Sequence, residues 1–363
     1  LINRKINQSN IKEKILMLEK HIRLFNKDAE NTNESIFGEH SGLLYWDEQN
    51  PVWYDVYSEL KQNFWIPQEV GLNTDSRDWR DNMSDIEKTF YKRAISQLVL
   101  LDSISTVIDG QLAAYIKNPA IKAIMAYIAS QESIHNESYT YIATTFMTKE
   151  EAKEVFEIPK TDKYILGSSE MILDTFETFL ETPTKLNMAK ALAAMAALEG
   201  IRFTNGFTPF YLLNRNKKML GTGQIIQLIQ RDEVQHSYFQ TLVVRQIMSE
   251  LHLSSQESED FSNWVYAFFD KVVKSEQELA RDLYKDYAVL DMEELEHYIE
   301  WRAHILLQNL CLTKVYTEAL TNPMIWIKTY DSDNINNTKT DFFENRVVNY
   351  SKATDDKNNW DEL

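Results

Sequence analysis

The sequence is short of cysteine. Cys311 is the single cysteine in 363 residues, so the chain can form no internal disulfide and can run no reaction that needs two of its own thiols. Such low cysteine usage fits a reducing compartment. Neither a secretory signal nor an apolar run of bilayer length is visible, so we expect a cytoplasmic protein.

Glycine, proline and positive charge are scarce as well. Nine Gly and seven Pro favour long helices over a turn-rich sheet. Lys and Arg number 38 against 55 Asp and Glu, which gives a net charge of −17. This negative field argues against nucleic acid or an anionic membrane as a partner, and it would favour a bound metal cation.

Capping signals divide the middle of the chain into long helices. Ser84 with Glu87 forms a capping box, and Asn118 supplies an N-cap before a proline. The four expected helices that matter most are Ser84 to about Tyr115, Pro119 past Glu132, Pro183 to about Leu213, and Gly223 to about Leu251. Further helices are expected at Lys163 to Leu180, after Ser254 and after Asp291, with a polar connection from Lys149 to Lys163.

The two ends of the chain are polar. Residues 1–45 are expected to hold one amphipathic helix, from Ile11 to Phe25, and the leading Leu1 suggests that the sequence begins inside a longer chain. Residues 46–325 are expected to form one helical domain, and residues 326–363 a flexible tail. The aromatic stretch from Trp46 to Asp81 is interpreted first as a segment packed over the helical core.

Acids and histidines occur inside apolar helical runs, where an unpaired charge is costly to bury. They follow the order acid, Glu-x-x-His, acid, Glu-x-x-His. The acid precedes the Glu of the motif by 30 residues in the first copy and by 34 in the second. The residues are Asp102, Glu132, His135, Glu199, Glu233 and His236.

This order is typical of four-helix bundles with a dimetal carboxylate centre. Four carboxylates offset the charge of two divalent cations and can bridge them, while two imidazoles add neutral ligands that suit iron or manganese. We therefore predict an all-α, ferritin-like helical bundle with this dimetal site in its core. A third copy, Glu294 with His297, lies in a polar helix start and is not expected to bind metal.

Some interpretations stay open at this point. Asp102 or Glu199 could singly be a buried acid paired with Lys or Arg. Tyr139 lies one turn after His135, within reach of a metal, but a helical tyrosine is often plain core. The apolar residues Phe203, Phe207 and Ile229, on the site side of their helices, could shield a tyrosyl radical or simply fill the core.

These segments together resemble the small, radical-generating subunit of class I ribonucleotide reductase. The resemblance covers Trp46 to the C-terminus and rests on four runs in the right order: Leu100-Leu101-Asp102-Ser103-Ile104, Glu132-x-x-His135-x-x-x-Tyr139, Leu198-Glu199-x-Ile201-Arg202-Phe203 and Arg231-Asp232-Glu233-x-x-His236. A leading Asp at position 102 fits this subunit better than related hydroxylases, desaturases or ferritins.

The resemblance implies specific roles. The six acids and histidines would bind two iron ions as a di-iron-oxo centre, with dimanganese as the alternative, and oxygen activation would oxidise Tyr139 to a stable radical. Trp65 and Asp232 would connect this centre to a radical-transfer route that Tyr350 continues in the tail. The tail, residues 326–363, would dock on the large catalytic subunit.

The resemblance also implies a homodimer that uses molecular oxygen, with a flavoprotein activator for a manganese form. A chain with one cysteine cannot carry out the thiol chemistry of ribonucleotide reduction, so the large subunit would do so. Two other hypotheses remain: a stand-alone dimetal oxygenase or oxidase, and a non-enzymatic helical scaffold whose buried acids pair with Lys and Arg.

Overall fold

Helices form nearly all the regular structure in the computed structural model of the chain. The structure describes residues 17–20, 23–46, 51–287, 290–313 and 321–330. Within these ranges no strand is present, and one isolated antiparallel bridge joins Met17 to Thr184. The all-α prediction is therefore confirmed. Nowhere in the same ranges is a helix both long and apolar enough to cross a membrane.

The α-helices are numbered in chain order. They are α1 (Val52–Gln62), α2 (Asn73–Arg77), α3 (Asp85–Ala113), α4 (Pro119–Phe146), α5 (Lys149–Glu157), α6 (Lys163–Glu181), α7 (Lys185–Ala197), α8 (Phe203–Arg215), α9 (Leu220–Glu250), α10 (Ser255–Leu283) and α11 (Met292–Asn309). Short 3-10 segments occupy Pro67–Glu69, Ile158–Lys160 and Ile325–Thr329, and π-helical segments occupy Asp78–Asn82 and Leu198–Arg202.

Capping side chains fix the starts of the long helices. The Ser84 hydroxyl accepts from the Glu87 amide at 3.2 Å, and the Glu87 carboxylate accepts from the Ser84 amide at 2.8 Å. The Asn118 side chain accepts from two amides of the first turn of α4, with Pro119 at the first helical position. These bonds satisfy amides that a helix start otherwise leaves without partners, so both predicted starts are confirmed.

Five helices form the bundle that positions the site, with α7 and α8 joined end to end by the π segment Leu198–Arg202. α3 packs on α4, α4 on α9, α9 on α7 and α8, and α8 back on α3. Every residue from 191 to 214 is buried, so α7 and α8 run through the interior. α6, α10 and α11 pack outside this ring.

Two predictions about the flanking segments are wrong. Residues 17–20 and 23–25, inside the expected helix from Ile11 to Phe25, are not helical. There the Leu18 amide donates to the carbonyl of Pro183, so the segment pairs with the start of α7. The expected connection after Lys149 contains α5, which opens on a capping box between Thr148 and Glu151.

The start of α7 also differs from the prediction. The N-cap is Thr184, whose side chain accepts from the Asn187 amide at 3.1 Å, and Pro183 lies outside the helix. The sequence offers two threonines with capping chemistry, Thr182 and Thr184. Only the packing of the segment selects between them.

Candidate metal centre

The bundle brings the six predicted acids and histidines together in its core. Asp102 comes from α3, Glu132 and His135 from α4, Glu199 from the π segment 198–202, and Glu233 and His236 from α9. All six side chains are buried. The helical spacing of three residues in each Glu-x-x-His motif puts both side chains on the same inward face.

The six residues form two overlapping groups. One ligand atom each from Asp102, Glu132, His135 and Glu233 lies within 4.8 Å of the others, and we call this group half-site 1. In the second group, which we call half-site 2, one ligand atom from each residue also lies within 4.8 Å of the others. The members of half-site 2 are Glu132, Glu199, Glu233 and His236.

Glu132 and Glu233 are shared, and their oxygens are divided between the two histidines. Nδ1 of His135 lies 3.6 Å from Oε2 of Glu132 and 3.0 Å from Oε1 of Glu233. Nδ1 of His236 lies 2.9 Å from Oε1 of Glu132 and 3.6 Å from Oε2 of Glu233. Each of the two glutamates therefore directs one oxygen toward each half-site, as a bridging carboxylate would.

The carboxylates of the cluster have no hydrogen-bond partner outside it among the described residues. In the described part of the chain, both carboxylate oxygens of Asp102, Glu132, Glu199 and Glu233 are buried without a hydrogen bond. A buried carboxylate oxygen left without a partner costs about 1–3 kcal/mol or more. The scaffold hypothesis expected Lys or Arg against these acids. The residues instead fit two divalent ions, because carboxylate with imidazole suits iron or manganese.

Burial and mutual interaction perturb the titration of the cluster. Burial raises the pKa of Asp102 and of Glu199 well above the usual range, and neighbouring carboxylates add to the shift. Burial alone would lower the pKa of His135 and of His236, but the surrounding carboxylates raise both pKa values well above the usual one. The cluster therefore retains protons that bound metal ions would displace.

The π segment 198–202 is held from several sides. Nε of Arg202 donates to Glu276 at 2.8 Å, and its other nitrogens donate to two serines of α6. Nε of Arg302 donates to the carbonyl of Gly200 at 3.2 Å. A Cβ at Gly200 would lie 2.7 Å from Cδ1 of Leu306, so a larger residue there would displace this side chain of α11. π segments are common at functional sites, and this one carries Glu199.

Tyr139 is fully buried, and its phenol interacts with Asp102 of half-site 1. Burial raises the pKa of Tyr139 well above its usual value, and the charge of Asp102 adds to the effect. The side chain is therefore a neutral phenol. Phe203 and Phe207 are buried and their ring centroids lie 5.7 Å apart, which both the shielding and the plain-core interpretations predict.

A second set of predicted residues meets on the outer side of His135. Nε1 of Trp65 donates to Oδ2 of Asp232 at 2.8 Å, and the same oxygen lies 3.3 Å from Nε2 of His135. The Trp65 and His135 rings stack with centroids 6.1 Å apart. Phe64 and Ile66, on either side of Trp65, are 60% and 40% exposed. The connected set Trp65–Asp232–His135 thus reaches from half-site 1 almost to the surface.

Tyr350 lies outside the described residues. The sequence interpretation missed two buried residues near half-site 2. Gln131 places Oε1 3.1 Å from Nε2 of His236. Asp109 is buried on α3 with Oδ2 unpartnered in the described structure, and its pKa is raised by burial and by Glu132. The spacing of seven residues from Asp102 could have indicated Asp109, whereas no pattern indicates Gln131.

The third Glu-x-x-His copy is separate from this cluster. Glu294 is half-buried and His297 is exposed, both near the start of α11. Neither belongs to a group of residues that could hold a metal within the described ranges. That this copy is not a metal site stays a prediction.

The fold and the cluster define a class: helical bundles of the ferritin-like kind with a candidate dimetal carboxylate centre. The family model described as "Ribonucleotide reductase, small chain" matches residues 45–323. The chain belongs to this family. The ribonucleoside-diphosphate reductase subunit beta of Halalkalibacterium halodurans is 32% identical over 353 residues, covering 94% of this chain and 98% of that protein.

Solved structures agree with the family assignment. A class I ribonucleotide reductase structure from Bacillus halodurans matches with a TM-score of 0.73 at 30% identity, covering 77% of this chain and 99% of that one. The ribonucleotide reductase R2 subunit from Clostridium botulinum matches with a TM-score of 0.79 at 26% identity, covering 87% of this chain and 99% of that one.

Proposed function

We propose that this chain is the radical-generating small subunit of a ribonucleoside-diphosphate reductase. One observation carries the proposal: the six-residue cluster adjoins a buried tyrosine, Tyr139, and also the connected set Trp65–Asp232–His135. A buried oxidisable phenol beside a dimetal site suits the storage of an oxidant. A hydrogen-bonded route toward the surface suits its delivery to another protein.

The six cluster residues would hold two metal ions, with Glu132 and Glu233 shared between them. We take iron as the default and manganese as the alternative, since the donor set accepts both. The bound metals would supply, from molecular oxygen, the oxidising power that removes one electron and one proton from Tyr139. Burial of Tyr139 keeps bulk water and reductants away from the resulting radical.

Trp65 and Asp232 would then relay the oxidant, because their hydrogen bond and the contact with His135 form one continuous polar connection. We propose that Tyr350 continues the route and that residues 326–363 dock on the large catalytic subunit, which reduces the ribonucleotide. The working unit would be a homodimer, with a flavoprotein activator if manganese is used. The cytoplasmic location stays a prediction from the sequence.

The test is reconstitution of the metal-free chain with Fe(II), or with Mn(II) and an activator, in air, followed by electron paramagnetic resonance. We expect a tyrosyl signal from the wild type and none from Tyr139→Phe. Tyr141→Phe is the matched control, because Tyr141 lies on the same helix and its hydroxyl donates to the Val70 carbonyl at 3.0 Å. A signal that survives in Tyr139→Phe would refute the assignment of Tyr139.

A second experiment separates the subunit from a stand-alone oxygenase or oxidase. Removal of residues 351–363 should abolish ribonucleotide reduction in the presence of the large subunit while leaving the tyrosyl signal unchanged. Turnover that persists without the large subunit and without the tail would favour the stand-alone enzyme.

A further inference from the structure

The two histidines of the centre have different partners on their outer nitrogens. Nε2 of His135 lies 3.3 Å from a carboxylate oxygen of Asp232. Nε2 of His236 lies 3.1 Å from the amide oxygen of Gln131, a side chain only 3% exposed. In both rings Nδ1 is the nitrogen directed at the shared carboxylates.

This arrangement fixes the role of the Gln131 oxygen. If Nδ1 of His236 donates its lone pair to a metal, Nε2 carries the proton and needs an acceptor. Within the described structure the amide nitrogen of Gln131 has no hydrogen-bond partner, so the oxygen is the atom committed to the ring. The opposite orientation of the amide would place the NH2 group of Gln131 against the Nε2–H of His236, and neither group could accept a hydrogen bond.

The position of Gln131 in the chain links two helices. Gln131 directly precedes Glu132, so one turn of α4 delivers a shared carboxylate and also contacts a histidine of α9. Adjacent residues on a helix point about 100° apart, which lets the two side chains reach different parts of the centre.

We propose that Gln131 is a positioning residue for His236 and therefore for half-site 2. It holds the imidazole in the tautomer and orientation that present Nδ1 to a metal. Because the amide is neutral and Asp232 is a carboxylate, the two half-sites present imidazoles of different basicity. The inference deepens the proposed function and rests on it, since it requires that the cluster binds metal.

The test is an anaerobic titration of the metal-free full-length chain with Mn(II) alone, followed by calorimetry and by the resonance signal of free Mn(II). The wild type should bind two equivalents. Gln131→Leu should bind one equivalent with unchanged affinity and the other about 10–100-fold more weakly, the range seen when outer partners of metal ligands are removed. Gln131→Glu restores an acceptor and should bind two equivalents.

Gln277→Leu is the matched control. Gln277 is a largely buried glutamine of α10 that donates to Glu300 of α11 at 3.2 Å rather than to a residue of the cluster. The Gln277→Leu variant should lose about as much stability as Gln131→Leu and should still bind two equivalents of Mn(II). Thermal melts of the metal-free variants show whether each one folds. If Gln131→Leu does not fold, Gln131→Glu still tests the proposal. Loss of one metal equivalent in Gln131→Glu would overturn it.

Double variants assign the effect to one half-site. In an Asp102→Ala background, Gln131→Leu should weaken the remaining equivalent, whereas in a Glu199→Ala background it should change nothing. Equal affinities in wild type and Gln131→Leu, or an effect confined to the Glu199→Ala background, would overturn the inference. A wild type that binds no Mn(II) or Fe(II) would instead refute the proposed function itself.

Discussion

Half-site 1 and half-site 2 offer the same donor types in different surroundings. Half-site 1 takes its unshared acid, Asp102, from a regular helix, and its histidine contacts the Trp65–Asp232 pair. Half-site 2 takes Glu199 from a π segment, and its histidine contacts neutral Gln131. The aromatic side chains suited to carry a radical adjoin half-site 1 alone among the contacts described here. Under the proposed function, half-site 1 would be the side from which the oxidant leaves.

The largest effect should come from the residues that the half-sites share. Glu233→Ala removes one oxygen from each half-site, so we expect loss of both metal equivalents. Asp102→Ala removes an unshared acid and should cost one equivalent. Metal analysis after reconstitution measures both. Equal losses in the two variants would show that the division into shared and unshared ligands is wrong.

The next largest effect should come from breaking the hydrogen bond between Trp65 and Asp232, which connects half-site 1 toward the surface. Trp65→Phe removes the Nε1 donor that Asp232 accepts at 2.8 Å. Ribonucleotide reduction with the large subunit should fall to background, while two metal equivalents and the tyrosyl signal persist. Trp53→Phe, a buried tryptophan of α1 that packs on Phe239, is the control and should retain turnover. Turnover in Trp65→Phe would remove Trp65 from the route.

Metal affinity should rise with pH in both half-sites. Each contains one acid and one histidine whose pKa is raised in the metal-free cluster. Metal must displace the protons that these groups hold, so affinity should rise with pH, by about tenfold per unit for each proton released. Titrations between about pH 6 and about pH 8 measure the slope. An affinity that stays constant or falls with rising pH at either equivalent would contradict this expectation.

The smallest effect should come from the π segment of half-site 2. Gly200→Ala places a Cβ 2.7 Å from Leu306, and such overpacking costs about 1–3 kcal/mol of folding free energy. Because Glu199 is the neighbouring residue, one metal equivalent should also bind about tenfold more weakly. Gly167→Ala, where a Cβ meets nothing within 4 Å, is the control in thermal melts and titrations. If Gly200→Ala binds both metal equivalents with unchanged affinity, the packing of the π segment does not influence metal binding.

The sequence predicted those features that local chemistry determines. The starts at Ser84 and Asn118 follow from side chains that bond to amides two or three residues away. The cluster could be recognised because a charged residue inside an apolar helical run is costly unless it has a function. The repeated order of acids and histidines indicated a metal site, and the structure brings all six residues together.

Features that depend on tertiary packing could not be predicted. The contact between Arg302 and the Gly200 carbonyl joins residues 102 positions apart, and no local sequence pattern indicates it. Gln131 looks like any polar helical residue until α9 places His236 against it. The segment around Leu18 has an amphipathic pattern but pairs with Pro183 instead, because tertiary contacts outweigh helix propensity there.

The most direct test of the dimetal centre is anomalous diffraction from a crystal of the chain loaded with Mn(II). The account predicts two anomalous peaks, one among the half-site 1 residues and one among the half-site 2 residues, with Glu132 and Glu233 bridging them. A single peak, or two peaks located elsewhere, would contradict it.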